Sequence, residues 1–240
     1  DQMLTLLRIE QLSGRYPHQI SGGEQQRVAL ARSLAPKPIA LLMDEPLSNL
    51  DPELRVKVRK ELKEVLRSTD VTSIFVTHDQ FEAFYMGDSV AVIKNGKLVQ
   101  IGSPESVFSD PNTPDLADVF EISNFLQASV EKEGFVSEIG VFPKYAEIKE
   151  GVLVEIMLRP DCVGLVPSNS GMGRIISRVF RGMHYLYSVN LKSGKSIDVL
   201  MPHAAFFDCG TEVDIKILEN HGFACYFEDK IIQRSRIGSR

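Results

Sequence analysis

An apolar run without alternation, Ile39-Ala40-Leu41-Leu42-Met43, closes on two acids and a proline, Asp44-Glu45-Pro46. A strand with one wet face alternates polar and apolar side chains. A strand covered on both faces does not, and such strands belong to parallel sheets packed between helices. The flanking residues have matching periods. Upstream, Ser21 is suited to cap a helix over residues 21–35, with Val28, Leu30, Ala31 and Leu34 as its apolar stripe and Pro36 and Pro38 ending it. Downstream, Pro52 opens a helix to about Arg67, residues 73–77 read as a second buried strand, and a helix follows over residues 80–86. This alternation predicts an α/β layer with a parallel sheet. Ahead of it, Leu4, Leu6, Leu7, Ile9 and Leu12 predict one apolar helix face before Gly14 and Pro17 break it. With Asp1 rather than methionine at the first position, the expectation is of a domain entered partway.

The pattern changes after residue 86. Two short apolar strands, residues 90–93 and 98–101, flank Asn95-Gly96, the pair most favoured in a type I′ hairpin turn. Two short helices are expected at residues 104–108 and 114–120. From Asn124 the chain reads as short strands separated by turn signals, among them residues 153–158, 173–180, 185–191 and 212–218, with Ser193-Gly194-Lys195 as a hairpin turn. Strands at this spacing predict a small all-β barrel or sandwich. The sequence therefore divides into residues 1–123 (α/β) and residues 124–240 (all-β), with no internal repeat and no low-complexity segment.

Composition excludes several classes. The 240 residues are 43% hydrophobic and 25% charged with a net charge of −5, which argues against a nucleic-acid partner held by a basic surface. The basic run Lys57-Val58-Arg59-Lys60 lies in a helical pattern shared with Glu53, Glu61 and Glu64, a solvated face. Cys162, Cys209 and Cys225 have no metal-binding spacing and suggest reduced thiols of a cytoplasmic protein. No apolar run approaches the roughly eighteen residues of a membrane span, so membrane work requires a partner.

Three short segments carry chemistry. Asp44 and Glu45 end a buried strand, where ligands bind in open α/β sheets. One acid there suits Mg²⁺ and its waters, and its neighbour suits polarising a water for phosphoryl transfer. Ser21, Gly22 and Gly23 start a helix with bare N–H groups, a hydroxyl and the positive dipole end, which together favour an anion. His78 follows a β-branched strand and lies at the same kind of edge. Each has a plainer reading, as a helix cap, a turn cap or a satisfied polar side chain. Their occurrence together in this order favours a phosphate site. Gly-x-x-x-x-Gly-Lys-Ser/Thr, the loop that cradles phosphates, occurs nowhere in the chain.

In order and spacing, residues 16–123 resemble the second half of the nucleotide-binding domain of ATP-binding-cassette (ABC) ATPases of the bacterial importer type. Ile20-Ser21-Gly22-Gly23-Glu24 resembles the signature motif, with Ile for the usual Leu and Glu24 where Gln is commonest. The resemblance implies that Ser21, Gly22, Gly23 and Glu24 contact ATP held by an opposite subunit. It implies that Asp44 serves Mg²⁺ through water, that Glu45 is the catalytic base, and that His78 is the switch histidine on the γ-phosphate. Ser48-Asn49-Leu50-Asp51 resembles the D-loop, which lies across the seam of two such subunits. Thr77-His78-Asp79-Gln80 with Glu82-Ala83, then residues 95–97 and 100–104, and Leu158-Arg159-Pro160-Asp161 further on, resemble importer subunits that carry an OB-like regulatory barrel called TOBE.

The fold class so implied is an incomplete P-loop NTPase cassette of α/β type followed by a TOBE barrel. ATP and Mg²⁺ are the implied substrate and cofactor. A second ATP-binding subunit in a homodimer and integral membrane permease subunits are the implied partners, with an extracytoplasmic solute-binding protein engaged indirectly. The place of work is the cytoplasmic face of the membrane. Solutes moved by such importers include ferric iron, polyamines, sulfate, molybdate and sugars, and the Ser-Asn-Leu-Asp loop leans towards ferric iron. The phosphate-cradling loop, glutamine loop and adenine-stacking aromatic of the family lie outside these residues. The chain by itself is therefore expected to bind Mg-ATP poorly and not to hydrolyse it. Two rival readings remain: a non-catalytic half-cassette with a ligand-sensing β-domain, and a DNA-repair-type ABC ATPase, which the acidic balance and the β-domain disfavour.

Overall fold

A computed structural model describes residues 2–120, 123–218 and 222–234. The chain divides into two compact units, residues 1–90 and residues 91–240. In the first unit, α1 (Gln2–Leu7) precedes α2 (Gly22–Leu34), β1 (Ala40–Asp44), α3 (Pro52–Thr69), β2 (Thr72–Val76) and α4 (Gln80–Met86). The apolar N-terminal face is not one helix. Arg8 has φ 55°, a left-handed conformation that stops α1, and Glu10–Leu12 forms a separate 3₁₀ turn. Leu7, Ile9 and Leu12 still converge on Ala31 of α2, so the burial survives the break.

Pairing of β1 with β2 is parallel, with Ala40 opposite Thr72 and Asp44 opposite Val76. Leu41 and Met43 point into a core with Leu34 of α2, Leu47 and Leu50, and with Val58, Leu62 and Leu66 of α3. Those last three recur every four residues, the spacing of one helix face. The expectation that both strands are buried on both faces is corrected here. Leu42, Ile74 and Val76 are 72, 54 and 51% exposed, and Ile39 is 95% exposed. Among the described residues, helices cover only one face of the pair, and β2 has β1 as its one strand neighbour. The apolar run in the sequence reflects a second face that these residues do not cover.

The second unit opens with the hairpin of β3 (Val90–Lys94) and β4 (Lys97–Gly102). Asn95 and Gly96 at its turn have φ 51° and 73°, as a type I′ turn requires. Then come α5 (Pro104–Ser109), α6 (Pro114–Ala117) and a 3₁₀ turn, Asp118–Phe120. The strands that follow are β5 (Asn124–Val130), β6 (Phe135–Ser137), β7 (Gly140–Phe142), β8 (Leu153–Leu158), β9 (Val163–Pro167) and β10 (Gly173–Phe180). After them come β11 (His184–Leu191), β12 (Ser196–Pro202), β13 (Glu212–Ile217), β14 (Ala224–Phe227) and β15 (Lys230–Arg234). They form two antiparallel sheets, ordered β15-β14-β8-β5-β6-β7 and β12-β11-β10-β13-β9.

One core joins the two sheets, with Leu126, Phe135, Phe142 and Ile156 from the first meeting Ile175, Tyr187, Val189 and Val213 from the second. Asn124 links their margins. Its side-chain amide donates to Asp198 O at 2.7 Å and accepts from Asp198 N at 2.7 Å, supplying the two bonds a strand neighbour would make. Arg159, 5% exposed, donates to Phe108 O, Ala117 O and Ser123 Oγ, and so ties α5 and α6 to the sheets. No described helix is long and apolar enough to cross a membrane.

Burial pushes the Cys162 and Cys225 thiols up to about 12, so at neutral pH both hold their protons. Cys209 is exposed. Brief maleimide treatment of the native chain at pH 8 is therefore expected to label Cys209 alone. All 3 thiols should react once the chain is unfolded, and Cys209→Ser should remove the fast label. Mass spectrometry of the labelled chain checks this.

Candidate functional site

The parallel register sets the geometry. Because Asp44 lies opposite Val76, the residues that follow each strand emerge at one sheet edge. Glu45 N donates to Val76 O at 2.9 Å, which extends the ladder by one bond. The chain then turns sharply, with Glu45 at φ 42°, a conformation few residues bearing a Cβ adopt. Ser48 holds the turn, its N–H and hydroxyl donating to Glu45 O at 3.2 and 2.9 Å. This conformation brings Glu45 Oε1 to 3.0 Å from His78 Nδ1. A carboxylate only accepts, so Nδ1 carries the hydrogen. The two side chains are 46 and 75% exposed, so the pair is accessible and screened by water. Asp44 is exposed beside it.

The start of α2 lies in the same unit and is braced against the loop after β1. Gln26 Nε2 donates to Pro46 O. A Cβ on Gly22 would sit 3.7 Å from Leu50, and one on Gly23 would sit 3.2 Å from Leu54, so small residues let the α2 N-terminus approach the α3 N-terminus. Ser21 caps α2 as expected, and Glu24 completes a reciprocal box. Glu24 Oε2 accepts from Ser21 N and from Ser21 Oγ, both at 2.8 Å, while Glu24 N donates to Ser21 Oγ at 3.4 Å. The hydroxyl expected to meet a phosphate is thus engaged by a carboxylate of its own chain.

Residues 48–51 split in two. Leu50 is buried in the core, and Asp51 caps α3 by accepting from Leu54 N at 2.9 Å. Ser48 and Asn49 stay exposed. The structure thus brings Asp44, Glu45, His78 and the 48–51 loop to one edge, with residues 21–24 braced beside Leu50. Nothing in these positions fills a cation cage: among the described residues no group of three or more His, Cys, Asp or Glu side chains converges. That suits Mg²⁺, which is commonly held by one or two carboxylates, waters and the phosphates of its substrate. Asp44 and Glu45 offer that donor set.

Three contributors were not singled out from sequence as site residues. Gln26 needed the fold, since its partner lies twenty residues away in the chain. Arg55 donates to Ser48 O and Leu50 O at 3.3 and 3.1 Å from the first turn of α3. Glu82 follows Asp79 at the spacing of a helix capping box, a signal visible in the sequence, and Asp79 Oδ1 accepts from Glu82 N at 3.1 Å.

Hydrogen bonds from the Ser21 backbone, then from its hydroxyl, hold the Glu24 carboxyl below its ordinary value of 4.5. A depressed acid contributes stability above its unfolded value and loses it as the pH falls through the folded one. In Glu24→Ala the first-turn amides of α2 are expected to lose protection against hydrogen exchange at pH 7. The difference from the parent chain should vanish as the pH falls below about 4.5. Ser21→Ala, which removes one of the groups that lower the Glu24 carboxyl, should weaken the same amides by about 1 kcal/mol at pH 7 and by less as the pH falls.

Residues 1–48 match the family model of the ABC transporter, and residues 156–224 match that of the TOBE domain. The chain is 39% identical over 222 residues to the spermidine/putrescine import ATP-binding protein of Trichodesmium erythraeum, covering 84% of this chain and 58% of that protein. It is also 39% identical over 213 residues to a protein of the same description from Pseudomonas aeruginosa, with the same coverage. To the Fe(3+) ions import ATP-binding protein of Fusobacterium nucleatum it is 36% identical over 228 residues, covering 92% of this chain and 62% of that protein. The chain thus spans about three fifths of the length of these relatives. On these likenesses the chain belongs to the ABC-transporter ATP-binding proteins and carries a TOBE domain.

Proposed function

We propose that this chain is the C-terminal portion of the ATP-hydrolysing subunit of a solute importer, working as a dimer on permease subunits at the cytoplasmic face of the membrane. The observation that carries this reading is the meeting of Glu45 and His78 at 3.0 Å on the edge formed by two parallel strands. Glu45 there can take a proton from a water attacking the γ-phosphate, and His78 orients its carboxylate by donating from Nδ1. His78 is exposed enough to turn towards a phosphate oxygen instead. Asp44, next to Glu45, would hold Mg²⁺ through water. When bound, that ion neutralises charge on the phosphate oxygens.

Residues 21–23 at the α2 N-terminus present N–H groups and a hydroxyl to the γ-phosphate of ATP held by the second subunit. To do so, Ser21 exchanges its Glu24 partner for the phosphate, and Glu24 swings aside. Residues 48–51 lie at the seam between subunits. In this reading residues 1–123 belong to the nucleotide-binding domain and residues 124–240 form the regulatory one. The relatives named for spermidine/putrescine import support a polyamine as solute, and the one named for Fe(3+) import supports ferric iron. Both are multiply charged cations, and an extracytoplasmic binding protein would deliver either to the permease.

No residue of this sequence supplies the Lys and backbone amides of a phosphate-cradling loop. Phosphate release from Mg-ATP is therefore expected to be absent for the chain alone. It should appear when the chain is fused behind a segment carrying Gly-x-x-x-x-Gly-Lys-Ser/Thr, and Glu45→Gln should then lower kcat by at least about 100-fold. Turnover by the unfused chain that Glu45→Gln abolishes would overturn the dependence on that loop. Turnover by the fusion that is indifferent to Glu45→Gln would overturn the role of Glu45.

A further inference from the structure

Glu82 is the one buried charged side chain among the described residues of the first unit, 3% exposed at the start of α4. A carboxylate so placed needs partners for both oxygens. Oε2 accepts from Thr77 Oγ1 at 2.7 Å, and Thr77 Oγ1 accepts from Asp79 N at 3.0 Å. Thr77 and Asp79 are the two neighbours of His78 in the chain, so the hydroxyl this carboxylate holds spans the histidine by accepting from the Asp79 N–H. Oε1 faces Arg55 Nε at 4.0 Å. That Nε is buried and makes no hydrogen bond, whereas Nη2 of the same guanidinium donates to Ser48 O and Leu50 O. Ser48 in turn holds the turn at Glu45. A chain of polar groups, open only at the 4.0 Å gap between Arg55 and Glu82, therefore runs from residues 48–50 to Thr77 and the backbone that flanks His78.

We propose that Arg55 and Glu82 are positioning residues that couple the 48–51 loop to His78, so that a displacement of the loop alters the His78–Glu45 contact. The 4.0 Å separation leaves the Arg55–Glu82 pair short of a hydrogen bond, a contact that a small loop movement can close or open. What the coupling accomplishes rests on the function proposed above, where the loop lies at the subunit seam. The coupling itself is a property of this chain and is testable without ATP.

The test uses the full chain with ¹³C-labelled histidine and ¹⁵N-labelled backbone. His78→Gln assigns the His78 ring signals among the 5 histidines. At fixed pH, Glu82→Gln and Arg55→Lys are each expected to move both the His78 ring signals and the amide signals of residues 48–50. Combining the two should move them no further than the larger single effect, as for residues acting in one path. Thr77→Val, which removes one hydroxyl at nearly constant volume, should move His78 even if the other variants fold poorly. Variants that lower thermal stability but leave the His78 and loop signals in place, or whose shifts simply add, would overturn the coupling and leave the pair as packing. In the fusion with a phosphate-cradling segment, Arg55→Lys should lower kcat roughly 3- to 30-fold with KM for ATP unchanged. Coupled NMR shifts in a fusion that hydrolyses no ATP would refute the proposed function while sustaining the coupling.

Discussion

Parallel pairing of β1 with β2 is the constraint on which the rest of the first unit depends. Parallel neighbours run in the same direction, so their carboxyl ends share one edge, and residues 33 apart in sequence come within hydrogen-bond distance there. Had the strands paired antiparallel, Glu45 and His78 would sit at opposite ends. The bond from Glu45 N to Val76 O extends this pairing past the strand, and Ser48 then folds the backbone back on itself. The left-handed conformation of Glu45 is the local cost of placing an acid at the tip.

Helix starts supply the other half of the site. Both α2 and α3 begin with side-chain caps, Ser21 and Asp51, and their N-termini approach closely because Gly22 and Gly23 leave room for Leu50 and Leu54. Two positive helix ends thus lie near one loop, a combination suited to anions. Until an anion arrives, the Glu24 carboxylate engages the Ser21 N–H and hydroxyl. The Ser21 and Glu24 N–H groups thus have partners in this state, and binding a phosphate there is an exchange of one anionic partner for another.

The β-rich unit is stabilised by different means. Its two sheets share a core of aliphatic and aromatic side chains, and Asn124 and Arg159 satisfy backbone groups at its margins. A buried guanidinium donates to carbonyls of α5 and α6 and to the Ser123 hydroxyl after them, which ties these short helices to the sheets. The strand pattern in the sequence foretold β8, β10 and β11, whose residues show β-branched or aromatic enrichment between turn signals. It did not foretell β6, β7, β14 and β15, which are three to five residues long and acquire strand geometry only by pairing.

Sequence by itself determined the elements whose causes are local. The Ser21 cap, the opening of α3 at Pro52 and the Asn95-Gly96 turn depend on residues within a few positions of each other. The order of signature, acids, loop and histidine was likewise legible, because each motif is a short segment with its own chemistry. Tertiary structure alone decided what depends on distant partners. It selected which face of β1 is covered, leaving Leu42 exposed where the apolar run implied burial. It also brought Glu45 to His78, Gln26 to Pro46, and Arg55 between the loop and Glu82. Periodicity reports that a face is apolar, whereas its neighbour and the partner of a buried charge are set by strand register and helix packing, which no local window contains.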